Sequence, residues 1–123
     1  MGTENQTYFA APTSEEECKL IATNIVQSHD LECHESPAFF RNSSLYLLEA
    51  ILVSLLREGE PFFEKSVSRI SSLDLKSMYN WLKYDELSSA KCRSFLSLVE
   101  SGSQNAELIL SELNQRVKNY FTE

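Results

Sequence analysis

Very little in this chain can turn sharply: glycine and proline number three each in 123 residues. Hairpins and tight loops rely on those residues for their unusual φ angles, so a chain this poor in them suits helices joined by short connections. No stretch sustains the period-two alternation of a half-buried strand. Cysteine is also scarce. Cys18, Cys33 and Cys92 make an odd count, and with no secretion signal this argues for reduced thiols in a cytoplasmic setting. The opening Met1-Gly2-Thr3-Glu4 has neither the basic nor the apolar region of a signal peptide. Gln6 stands where a myristoylation signal wants Ser or Thr. No apolar run approaches the roughly 20 residues of a membrane span.

Positive charge is short as well. The formal net charge is −7, and the deficit is concentrated at one end, since residues 1–36 hold seven acids and the single base Lys19. A phosphate-backbone binder carries a basic footprint, so this balance argues against direct nucleic acid binding and favours basic partners. Apolar residues make up 42% of the chain, enough for the core of one domain.

What the chain does have is helical spacing. Residues 1–13 read as an irregular N-terminal segment or a cloning remnant, and 14–121 as one all-α domain, a compact bundle of about six helices. Ser14 with Glu17 three residues on forms a capping box, and Cys18, Ile21, Ala22 and Ile25 share a face, predicting a helix over 14–28. Glu15, Glu16 and Glu17 suit the positive end of its dipole. A polar connection follows over 29–37. The second helix is expected over 38–58, with Phe40, Leu48, Ile51, Leu52 and Leu55 inward, Gly59 as its stop and Pro61 blocking continuation. A short helix is expected over 61–71. Another, over 74–84, is capped by Ser72 or Asp74 and turns Leu75, Met78, Tyr79 and Leu82 inward. One over 88–100 starts at Ser88 and buries Cys92, Phe95, Leu96 and Val99. After Gly102, a last helix over 103–121 buries Ala106, Ile109, Leu110, Leu113, Val117 and Tyr120. The serines, among them the pairs Ser43-Ser44, Ser71-Ser72 and Ser88-Ser89, read as caps or solvated positions.

Chemistry-bearing patterns are sparse. His29, Cys33 and His34 cluster near Cys18, but no Cys-x-x-Cys occurs and a fourth zinc ligand is not evident, so an exposed loop is the expectation and no metal or cofactor is assigned. Neither a phosphate-binding G-x-x-x-x-G-K-[ST] loop nor a G-x-S-x-G elbow occurs. Cys33 and His34, being adjacent, cannot readily present both side chains to one substrate. Asp85 and Glu86 read as ordinary surface acids. Nothing here reads as an enzyme. Among the aromatics, Trp81 is expected toward the core and Tyr84 at a rim. An exposed aromatic beside Lys76 and Lys83 makes a protein-docking patch.

The order of the segments resembles the all-α domain of type IV secretion coupling proteins, the TraG/TraD-like ATPases. An acid-rich helix (Ser14 to Ser28) precedes a polar connection. Then come the aromatic pair and polar step Phe39-Phe40-Arg41-Asn42-Ser43-Ser44 and the leucine-rich run Leu47 to Leu56. Phe62 to Ile70 and Leu73 to Leu82 follow, then Ala90 to Val99, a polar break over Ser101 to Asn105, and Ile109-Leu110-Ser111-Glu112-Leu113. Gln104-Asn105-Ala106 departs from the more basic break of that family. The resemblance implies a module excised from a P-loop ATPase and facing the cytoplasm at a membrane-bound hexamer. Such a module would recruit relaxase, relaxosome accessory proteins or effector proteins without hydrolysing ATP itself. The expected partner-binding residues are the surface ones, Glu15, Glu16, Lys76, Lys83 and Tyr84. A free-standing helical adaptor or secretion chaperone is the alternative.

Overall fold

A computed structural model of the chain describes residues 14–28, 37–58 and 73–121, and all regular structure in them is helical. The helices are α1 (Glu15–Ser28), α2 (Pro37–Glu58), α3 (Leu75–Lys83), α4 (Glu86–Lys91), α5 (Arg93–Glu100) and α6 (Gln104–Phe121). The segment 1–13, the connection bearing His29, Cys33 and His34, the stop at Gly59 and Pro61, and the helix expected over 61–71 with Phe62 and Phe63 lie outside the described residues.

Local chemistry sets the helix ends. The Ser14 hydroxyl accepts from the Glu17 amide at 3.2 Å, as the capping box requires. Pro37 is the first residue of α2, where its missing N–H would have had no intrahelical acceptor anyway. Asp74 rather than Ser72 caps α3, its carboxylate accepting from the Ser77 amide at 2.8 Å. At the end of α5, Gly102 takes φ +75°, its amide bonds to the Val99 carbonyl, and the Ser103 amide reaches back to that of Leu98. These two bonds define a Schellman ending, whose left-handed residue glycine adopts without strain.

The helix expected over 88–100 is two helices. It begins earlier, behind Asp85, whose carboxylate caps the Ser88 amide at 3.1 Å, and it bends at Cys92 (φ −118°, ψ 34°). The bend has a packing cause. Ser88 is fully buried and its hydroxyl donates to the Ala50 carbonyl of α2 at 2.8 Å, which fixes α4 against α2. Phe95 and Leu96 are buried where α5 packs on α3 and α6. One straight helix would have to satisfy both sets of neighbours. Cys92 takes up the change of direction while its Sγ donates to the Ser88 carbonyl at 3.2 Å.

At the centre lies α2, which packs against each of the other five described helices, most extensively α1, α4 and α6. Its Leu47, Leu48, Ile51, Leu52, Val53 and Leu55 join Cys18, Ala22 and Ile25 of α1, Met78 and Leu82 of α3, and Ile109, Leu113 and Val117 of α6 in one apolar core. The helical spacing had identified these faces. The serine reading needs correcting: Ser44, Ser54 and Ser88 are buried, small side chains inside helices at close packing positions rather than solvated caps. The reading that no apolar run reaches the length of a span needs correcting too. The stretch Phe39–Glu58 averages a hydropathy of 1.3, apolar and long enough to cross a membrane, and 61% of that window is buried inside the bundle. Polar residues interrupt the run without lowering its average below that level.

Candidate docking surfaces

Ionisable groups at the helix contacts are engaged in holding helices together. Arg116 of α6 is buried with Glu112 one turn before it, its Nε and Nη2 2.8 and 2.7 Å from Glu112 Oε2. A third nitrogen, Nη1, donates to the carbonyl of Val26 in the last turn of α1. Buried Glu49 of α2 meets Lys91 of α4 at 3.2 Å, and Lys91 reaches Glu15 of α1 at 3.5 Å. Burial pulls the Lys91 ammonium down, but the hydrogen bonds and charges of Glu49 and Glu15 outweigh it, so its pKa stands above 10.5. Asp85 is not an ordinary surface acid: besides capping α4 it pairs with Arg57, in the last turn of α2, at 3.3 Å. Burial, with the neighbouring Glu49 and Glu15 charges, pushes the Cys18 thiol up to about 11. Burial alone takes Cys92 to about 12. Neither is a thiolate near neutrality, so neither is a nucleophile there. No group of three His, Cys, Asp or Glu that could hold a metal occurs among the described residues.

The five residues expected to bind a partner divide between two places. Lys83 and Tyr84 come together at the C-terminal end of α3, where the Lys83 ammonium lies 5.0 Å from the Tyr79 ring centre and 5.3 Å from that of Tyr84. These are cation–π distances, and a cation at a helix C-terminus is also favoured by the dipole. Tyr84 is 79% exposed, at the rim as expected. Tyr79 beneath it donates to Glu100 of α5 at 2.7 Å, which raises its own pKa above 10.0 and anchors the corner. Lys76 is exposed near the start of the same helix. Trp81 is only half-buried, its indole N–H reaching Glu58 of α2 at 3.1 Å. Glu15 and Glu16 lie at the start of α1. Glu15 is partly committed to Lys91, whereas Glu16 stands exposed.

A feature that sequence reasoning missed lies where the first turns of α2 face the α4–α5 bend. There a cleft of about 370 Å³ opens between Phe39 and Tyr46 on one side and the Lys91–Phe95 stretch on the other. Phe39 is 43% exposed and Tyr46 52%, while Phe40, edge-on to Phe39 at 5.1 Å, turns into the core. The aromatic pair was visible in sequence; the meeting of residue 39 with residue 93 was not. A second cleft of about 480 Å³, between the start of α3 and α6, is lined by charges of both signs, Asp74, Glu107 and Lys118.

No protein-family model, curated protein or solved structure matches the chain.

Proposed function

We propose that the chain is a cargo-docking module of the kind found in type IV secretion coupling proteins. On this reading it binds relaxase, relaxosome accessory proteins or effector proteins at the cytoplasmic face of the membrane. It presents them to an ATPase of the same polypeptide and catalyses no reaction itself. Two things support the reading: the ordered series of segments described above, and a division of labour between inside and outside. The observation that carries it is the second. Ionisable side chains at the helix contacts join helix to helix, whereas Phe39, Tyr46 and Tyr84 are turned outward beside cations. Exposed aromatics beside a basic side chain are the residue types that dominate protein–protein hot spots.

The test is capture of purified relaxosome proteins by the immobilised chain. Acidic α1 should draw a basic signal by long-range attraction, so capture is expected to weaken as salt rises. It should also fall severalfold with Glu15→Lys plus Glu16→Lys, most of the loss coming from Glu16 because Glu15 is already paired. Absence of capture at low salt, or capture indifferent to both salt and charge reversal, would refute the reading. An ATPase reading frame continuous on both sides of the coding segment would separate the excised module from a free-standing adaptor.

A further inference from the structure

The lining of the α2/α4–α5 cleft runs against the net charge of the chain. The chain carries −7, yet among the described residues Lys91 and Arg93 line this cleft and no carboxylate does. The two cations are not equivalent. Lys91 is held by Glu49 and Glu15, so its charge is spent inside the protein. Arg93 is exposed at the first position of α5, a helix whose N-cap residue, Cys92, makes no side-chain capping bond. The positive end of the α5 dipole therefore adds to the guanidinium rather than being cancelled by a capping acid. Phe39 and Tyr46 form an exposed aromatic wall, and Phe95 and Cys92, almost fully buried, lie beneath the floor of the cleft.

From this complementarity we infer that the cleft binds a short segment of a partner protein in which an apolar side chain is flanked by a carboxylate. The apolar side chain packs against the exposed rings of Phe39 and Tyr46, and the carboxylate takes the two-pronged guanidinium of Arg93. A basic segment would meet an unneutralised Arg93. A nucleic acid strand would find one free cation here and a negative molecule around it. The inference rests on the docking reading only for the nature of the partner as cargo.

The experiment uses the ¹⁵N-labelled full chain and three probes: a short peptide carrying Glu-Leu-Phe, the same peptide with Lys in place of Glu, and a short single-stranded oligonucleotide. The acidic peptide is expected to shift the amides of Tyr46, Arg93 and Ser94. Arg93→Glu should weaken it by about tenfold or more and reverse the preference toward the basic peptide. Tyr46→Ala should weaken both peptides alike. Both side chains are exposed, so the variants are expected to fold, which helical circular dichroism checks. Equal shifts from both peptides, shifts elsewhere on the molecule, insensitivity to Arg93→Glu, or preference for the oligonucleotide would each overturn the assignment. Relaxosome capture that survives both substitutions would sink the cleft and leave the docking reading standing. Peptide binding without relaxosome capture would do the reverse.

Discussion

Arg116 is the residue whose truncation should be felt most. Its guanidinium is removed from water, paired with Glu112 and bonded to the end of α1. Arg116→Ala leaves a carboxylate buried beside an empty space and a helix-end carbonyl without that donor. A loss of about 3–5 kcal/mol is expected, read from the midpoint of urea unfolding. Replacing both partners with apolar residues of similar volume, Arg116→Met with Glu112→Leu, should recover most of that loss, because neither charge then needs a partner. A double variant no more stable than the single would contradict this account. Nothing in the sequence announced the pair. Glu112 and Arg116 are one turn apart, which reads as a common surface ion pair. They flank the apolar stripe of α6 at Ile109, Leu113 and Val117, and Arg116 finds its partner on α1, 90 positions away, at the Val26 carbonyl. The burial of Cys18 and Cys92 was legible, since small apolar-like residues on an inward face need no partner to be recognised.

For single elements, legibility followed the range of the interaction. The ends of α1, α3 and α5 are written within four or five residues, at Ser14, Asp74 and Gly102, and could be found there. The bend at Cys92 could not, because it answers to α2 through Ser88 and Ala50, residues 38 positions apart. The cap of α3 is also a pH-sensitive device. Hydrogen bonds from the backbone and side chain of Ser77 hold the Asp74 carboxyl below its ordinary 3.8. A depressed carboxylate contributes its stabilisation above the unfolded pKa and loses it as pH falls through the lowered folded value. Exchange of the Ser77 amide should therefore quicken, after correction for intrinsic chemistry, as pH drops below about 4. Asp74→Asn keeps a capping oxygen but cannot titrate, so it should abolish that step. An unchanged acid response in the variant would assign the effect to another group.

At the scale of the whole molecule, the contacts of α2 with every other described helix predict a single cooperative transition. Fluorescence of Trp81, on α3, and far-UV circular dichroism, averaged over all helices, should give coincident urea curves. A separate earlier loss of either signal would show that α3 detaches from the hub. The all-α class was readable from the lack of turn residues and the 3.6-residue spacing. The cleft was not, since Phe39, Tyr46 and Arg93 belong to distant stretches and only the meeting of α2 with the α4–α5 bend makes them neighbours. The same central helix carries a hazard during synthesis. Before its neighbours exist to cover it, α2 is a segment that membrane-insertion machinery could read as a span. Glu49 stands near the middle of that segment, where an acid costs a translocating helix about 2.5–3.5 kcal/mol. The carboxylate that Lys91 neutralises in the finished fold thus also raises the cost of placing that segment in lipid.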